Sequence, residues 1–232
     1  MTPGLIETAR VADGRCPLWP WHLERLRASA AALGLPLPAS LPVEAEMVRA
    51  GACAAGVVAV RLVLVDAAVR LDARPVPPAD GGWRACAASR LAGAHPLRAH
   101  KTTDREEHVA AAAAARARGC QEALWVDPAG RLSEGTITNL FVCRERRLLT
   151  PRAGGNLLPG IARGRLLAAG RLGGHPVEEA ELTPADLLLA EEAFVTNAVR
   201  GAVPLVAWEG VPLGRGGLWQ EAQRTIFRTG LP

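Results

Sequence analysis

The alternation of apolar and polar positions over Leu5–Val11 predicts a short strand, because strand side chains point to opposite faces in turn. From His22 to Leu33 the spacing changes. Leu23, Leu26, Ala30 and Leu33 fall on one face of a helix, and Gly34 ends it. Pro42 opens a second helix over Val43–Ala50. Val57–Val65 and Val69–Ala73 read as a hairpin around Asp66-Ala67-Ala68, and Trp83–Ala88 as a further strand. Residues 89–100 hold Gly93 and Pro96 with little periodicity, which places a domain boundary there and gives domains of 1–94 and 95–232.

The second half opens on a long helix over Asp104–Arg118, ended by Gly119. Its run of alanines at 110–115 predicts a close-packed helix, since Ala is the best helix former. Strands are expected at Glu122–Val126 and Arg131–Leu132, on either side of the turn sequence Asp127-Pro128-Ala129-Gly130. Further strands are expected at Asn139–Arg144 and Arg147–Leu149. A helix over Gly160–Leu172 follows Leu158-Pro159. Val195–Val206 holds strands interrupted at Asn197–Gly201, and a last helix covers Leu218–Arg228. Strands and helices are mixed without strict βαβ order, and no internal repeat is visible. The fold class is α/β (α+β mixed), in two domains.

Composition narrows the function. The hydrophobic share of 49% supports a full core. The net charge of +4 comes from arginines spread along the chain, without a basic block, which disfavours nucleic-acid binding. That balance suits an anionic substrate or cofactor. The five cysteines form no CxxC pair and are odd in number, against a disulfide framework or zinc site and for a reducing compartment. The histidines show no HxxxH or HExxH spacing, so no metal is expected. The first residues carry acid and Arg early and no apolar run reaches a membrane span. A cytoplasmic protein with no membrane partner is expected.

One count stands apart: 26 arginines against a single lysine, Lys101. Arginine cannot form a Schiff base, whereas a lysine that loses its proton attacks a carbonyl. Lys101 lies in His100-Lys101-Thr102-Thr103-Asp104-Arg105, read as a mobile connection before the long helix. Farther on, Glu134 stands between two strands with Gly135 after it, which allows a close approach. Then Leu158-Pro159-Gly160-Ile161-Ala162-Arg163 sets a Gly at a helix start, a natural phosphate cradle.

In order, these residues are specific. Glu134-x-Thr136-x-x-Asn139-Leu140-Phe141, then Leu148-x-Thr150, then Leu158-x-Gly160-Ile161-x-Arg163 resembles the signature of the class IV (fold type IV) pyridoxal-phosphate aminotransferases. Leu5–Val11 and His22-Leu23-Glu24-Arg25-Leu26 resemble the family's opening strand and phosphate-binding helix, so the likeness covers nearly the whole chain. The resemblance implies a small N-terminal α/β domain and a larger, pseudo-barrel-like C-terminal one, with pyridoxal 5'-phosphate as cofactor. By position it implies Lys101 as the residue that bonds the cofactor and Glu134 as the acid at the pyridine nitrogen. Arg25 and the backbone of Ile161 and Ala162 would hold the phosphate, with the loop at Asn197 and Ala198 closing the cup. Family members carry a longer segment ahead of the position of Leu5, so a trimmed small domain is expected.

Within the family, the segment His100–Arg105 and the loop Asn197-Ala198-Val199-Arg200-Gly201 are most similar to those of aminodeoxychorismate lyases. These convert 4-amino-4-deoxychorismate to 4-aminobenzoate and pyruvate in folate biosynthesis. The resemblance thus implies a homodimer and, as functional partner, aminodeoxychorismate synthase. Branched-chain and D-amino acid transaminases share the signature, and a cofactor-binding protein without turnover is a third reading. Many class IV transaminases have a Tyr five residues after the lysine; this chain has no Tyr, and Glu106 stands there. Arg90, Arg98, Arg105 and Arg200 are candidates for substrate carboxylates. The tryptophans Trp19, Trp21, Trp83 and Trp125 read as core or interface.

Overall fold

A computed structural model describes residues 3–79, 81–89, 95–154 and 157–228. The chain divides into two compact units. The first takes residues Met1–Pro78 and His100–Arg105, the second Ala79–Ala99 and Glu106–Pro232.

The first unit is a three-stranded antiparallel sheet, ordered β1 (Leu5–Val11), β2 (Val58–Val65), β3 (Ala68–Pro75), with two helices. Helix α1 runs Trp19–Leu33, three residues earlier than the apolar spacing predicts, with Pro20 in its first turn, where a missing N–H costs nothing. Gly34 ends it in the left-handed region at φ +65°. Helix α2 is Glu44–Gly51. The expected hairpin is present. Its two-residue turn, Asp66-Ala67, has φ 49° and 59°, the positive pair that matches strand twist. The core gathers Leu5, Val11, Trp19, Leu26, Met47, Val60, Leu62 and Leu64.

The second unit holds the larger sheet. Strands β4 (Trp83–Ser89), β5 (Glu122–Val126), β6 (Leu132–Gly135), β7 (Asn139–Arg144), β11 (Glu192–Asn197) and β12 (Gly201–Trp208) pair in turn, and β12 pairs back to β4. That last pairing closes a ring of six strands, the barrel-like form implied by the family resemblance. Leu124, Leu140, Val142, Ala193, Val195, Val203 and Leu205 fill its core. Beyond β7 the sheet continues through β8 (Arg147–Pro151), β10 (His175–Ala180) and β9 (Arg171–Leu172); β13 (Val211–Pro212) pairs with β12. The remaining helices are α3 (Glu106–Ala117), α4 (Ile161–Ala169), α5 (Pro184–Leu188) and α6 (Leu218–Phe227).

Three expectations are corrected. The strand Trp83–Ser89, expected in a domain of 1–94, pairs in parallel with β5 and β12 and belongs to the second unit, while residues 100–105, expected in 95–232, belong to the first. Periodicity marks a strand but not its partner, and parallel neighbours are reached only by a long crossover. Part of the expected boundary, residues 90–94 with Gly93, lies outside the described residues. Secondly, α3 is not close-packed. Among its residues only Ala115 is buried, beside the partly buried Ala111, with Cys86, Ala123 and Cys120. Intrinsic alanine propensity, not burial, accounts for this helix. Thirdly, the lysine connection is paired to a strand, as described next. Elements β9, β10, α5 and β13 were not anticipated, although Thr183-Pro184-Ala185-Asp186 carries the α5 start, with Thr183 and Asp186 capping each other.

Candidate active site

In the first unit the segment around Lys101 is stitched to β1. The Ile6 N–H donates to the Lys101 carbonyl at 2.7 Å, the Thr103 N–H donates to Gly4 at 2.8 Å, and Thr102 pairs with Leu5. One residue earlier, the His100 ring nitrogen Nδ1 and the Ser29 hydroxyl on α1 lie 2.9 Å apart. The backbone of Lys101 is therefore fixed, and its freedom resides in the side chain, which is half-buried.

Beside it lies a buried ionic group on β1 and α1. The Glu7 carboxylate accepts from Arg25 at both oxygens, Nε at 2.9 Å and Nη2 at 2.6 Å, and meets His22 Nδ1 at 2.6 Å. Burial alone would push the Glu7 carboxyl up; the charge of Arg25 and the contact with His22 outweigh it and hold the pKa at about 2. Burial pushes His22 down, against the pull of Glu7 and aided by the charges of Arg25 and Lys101. Arg25 is the main counter-charge of Glu7. Periodicity cannot reveal this cluster, because Glu7 occupies a core-facing strand position where an apolar side chain is the default.

In the second unit Glu134 and Asn139 face each other on β6 and β7, and Asn139 in turn is opposite Thr196 on β11. Cross-strand partners share a face, so these three side chains form a row. Two of them grip one residue: the Leu158 N–H donates to Glu134 Oε2 at 3.0 Å, and Asn139 Nδ2 donates to the Leu158 carbonyl at 2.9 Å. Leu158 lies two residues before Gly160, so this grip anchors the start of α4. Gly160 is the N-cap, and no side chain caps the helix. A Cβ at 160 would collide with the Asn139 amide oxygen, so only glycine fits. Ile161 and Ala162, in the first turn, are buried. The Thr196 hydroxyl, 1% exposed as a residue, has no hydrogen-bond partner.

Within the second unit, an uncapped helix start, an orphaned hydroxyl and a buried carboxylate are the donors and acceptor that a phosphate and a ring nitrogen require. The residues present thus fit pyridoxal phosphate. Asn197 does something other than expected with its side chain: its Oδ1 accepts from the Val199 and Arg200 N–H groups at 3.0 and 2.8 Å and builds the turn that carries Ala198. Arg200 lies with its guanidinium 5.5 Å from the centre of the Trp83 ring. Arg98 sits in the single 3-10 turn Pro96–Ala99, and Arg105 ends the segment 100–105; both are half-buried. Arg90 lies outside the described residues. No group of metal-binding side chains occurs among the described residues, and none of their helices is long and apolar enough to cross a membrane.

Residues 4–208 match the family described as amino-transferase class IV. The branched-chain-amino-acid aminotransferase of Escherichia coli (strain K12) is 33% identical over 102 residues, 44% of this chain. The match spans 33% of that relative's length. A hypothetical aminotransferase of Mycobacterium tuberculosis in its PLP-bound form superposes with a TM-score of 0.85 at 24% identity, over 97% of this chain and 88% of that one. A protein of Legionella pneumophila named "Putative 4-amino-4-deoxychorismate lyase" superposes with a TM-score of 0.81 at 23% identity, over 95% of this chain and 89% of that one. With the matched family spanning both units, the chain belongs to the class IV aminotransferases, a family of pyridoxal-phosphate enzymes.

Proposed function

We propose that the protein is a pyridoxal-phosphate lyase that converts 4-amino-4-deoxychorismate to 4-aminobenzoate and pyruvate. The observation that carries this reading is the lysine segment. His100–Arg105 resembles that of the lyases, and the position five residues after Lys101 is Glu106, exposed at the start of α3, where many transaminases of the family have a tyrosine. The whole-chain likeness to the Legionella protein agrees with it.

Bound pyridoxal phosphate supplies the electron sink for the carbanion that forms when the substrate loses its C4 proton. The chain's residues do the rest. The Lys101 amine would hold the cofactor and would serve as the base that takes the substrate's C4 proton. Glu134 keeps a proton on the ring nitrogen. By the family's pattern Arg25, the amides of Ile161 and Ala162, and the turn at Asn197 and Ala198 would hold the phosphate. Arg98, Arg105 and Arg200 are the cations available to the substrate carboxylates. Loss of enolpyruvate from C3 breaks the C–O bond, makes the ring aromatic and ends in pyruvate. In this reading the protein works as a cytoplasmic homodimer and receives its substrate from aminodeoxychorismate synthase.

The likeness to branched-chain aminotransferases favours a second reading, amino-group transfer from a branched-chain or D-amino acid to 2-oxoglutarate. One experiment separates them. Purified protein with cofactor is given 4-amino-4-deoxychorismate or, separately, an amino acid with 2-oxoglutarate. The expected outcome is 4-aminobenzoate and pyruvate in equal amounts from the first. Glutamate formation from the second alone would establish the transaminase; cofactor binding with neither product leaves a binding protein without turnover.

A further inference from the structure

Glu122, at the start of β5, is a fully buried carboxylate that the chemistry above does not use; its exposure is 0%. Its five donors come from two places. Oε1 accepts from the Ala123 N–H at 2.9 Å, the Thr136 N–H at 2.9 Å and the Thr136 hydroxyl at 2.5 Å. Oε2 accepts from the Thr138 hydroxyl at 2.7 Å and the Ile137 N–H at 3.4 Å. Four of the five belong to Thr136–Thr138, the turn that joins β6 to β7. Burial pushes the Glu122 carboxyl up, and the hydrogen bonds from Thr136 and Thr138 pull it partly back down. The backbone N–H groups of Ala123, Thr136 and Ile137 can only donate and reach both oxygens, a set that Glu satisfies and Gln, with one oxygen replaced by NH2, does not.

The same turn sets the ends of both strands. The Gly135 N–H donates to the Thr138 carbonyl at 2.8 Å, and Glu134 and Asn139 are the paired residues on either side. Gly135 lies against the carboxylate: a Cβ there would stand 2.6 Å from Glu122 Oε2 and would strike the Thr138 hydroxyl. The close approach that glycine permits in this signature is thus made by Glu122. We propose that Glu122 is a positioning residue: it fixes the turn Thr136–Thr138 and through it the placement of Glu134 and Asn139. The proposal rests on the reading of Glu134 as the partner of the cofactor's ring nitrogen.

In Glu122→Gln one oxygen becomes an NH2 group that faces donors, and the turn must shift. Thr138→Val removes one donor at nearly constant volume. Both variants are purified with pyridoxal phosphate beside wild type and Glu134→Gln. Three quantities are read: the pH titration of the bound cofactor's absorbance, the cofactor dissociation constant from fluorescence, and the melting temperature. In both variants the titration midpoint is expected to move in the direction seen in Glu134→Gln, by a smaller amount. The dissociation constant should rise at least severalfold in Glu122→Gln. Wild-type titration and affinity with only a lowered melting temperature would show that Glu122 merely supports the fold, and would overturn the proposal. Should Glu122→Gln fail to fold, Thr138→Val decides by the same criterion. If Glu134→Gln itself leaves the titration unchanged, the assignment of Glu134 fails, and the positioning role falls with it. If Glu134→Gln shifts it and the other variants do not, the positioning role alone fails.

Discussion

Lys101 is the residue whose chemistry the sequence announces most directly, because it is the chain's single lysine. Its backbone carbonyl is bound to β1, so the amine swings on four methylenes rather than on a mobile loop. Borohydride reduction of the protein with bound pyridoxal phosphate, followed by peptide mapping, is expected to leave the cofactor on Lys101. The N-terminal amine is the remaining competitor, and a label confined to it would end the assignment. Glu134 was also legible, from its place in a spaced signature. Glu122 was not: it begins an ordinary apolar strand, and only folding shows that its oxygens receive the donors of a turn fourteen residues later. Thr196 falls at the end of a segment read as strand, and its hydroxyl's lack of a partner is a property of packing, not of spacing.

Helix α4 shows how the fold prepares a helix start. Pro159 and Gly160 announce its start, but what makes the start usable is the grip of Glu134 and Asn139 on Leu158. Two glycines on this element offer a paired test. Gly160→Ala would drive a Cβ into the Asn139 amide, whereas Gly164→Ala meets nothing within 4 Å in the helix interior. Gly160→Ala is expected to weaken pyridoxal-phosphate binding at least tenfold, about 1.4 kcal/mol, as read by cofactor fluorescence. Gly164→Ala should leave affinity unchanged and raise stability by up to about 1 kcal/mol, through helix propensity alone. Equal affinities in the two variants would mean that the α4 start does not bear on the cofactor. Element boundaries followed the same logic as the site. Strands β1, β5 and β7 were read to the residue, whereas β6 runs three residues past its expected end and so includes Glu134, and β11 begins three residues early. Helix α4 stops at Ala169, short of the expected Leu172, and α1 begins three residues before its apolar spacing, at a proline-bearing turn.

For the molecule as two compact units, the buried Glu7 cluster ties stability to pH. The folded carboxyl titrates at about 2 instead of 4.5. A depressed carboxyl contributes its stability above its unfolded pKa, and the contribution drains away as pH falls from 4.5 to about 2. On the order of 3 kcal/mol is at stake, since each tenfold change in proton affinity is worth about 1.4 kcal/mol. Urea unfolding followed from pH 6 to pH 2 should show the steepest loss in this window for wild type and a flatter profile for Glu7→Gln. At neutral pH Glu7→Gln should cost up to about 3 kcal/mol, since the half-buried Arg25 and the buried His22 lose the carboxylate they face. Identical slopes in the two proteins would remove Glu7 as the source.

What the sequence determined by itself was local or counted: strands and helices with clear periodicity, the single lysine, the fixed spacing of the signature, and through it the family. These are legible because alternation, helical spacing and residue chemistry act over a few neighbouring positions. The tertiary structure alone decided which strands are neighbours. It assigned Trp83–Ser89 to the larger sheet, returned 100–105 to the first unit, closed the ring through β7 and β11, and left α3 largely exposed. It alone set Glu7 against Arg25 and Glu122 beneath its turn. The physical reason is common to all of these. A pairing or a buried charge is selected by the partner it finds across the fold, and that partner leaves no periodic mark at the residue's own position.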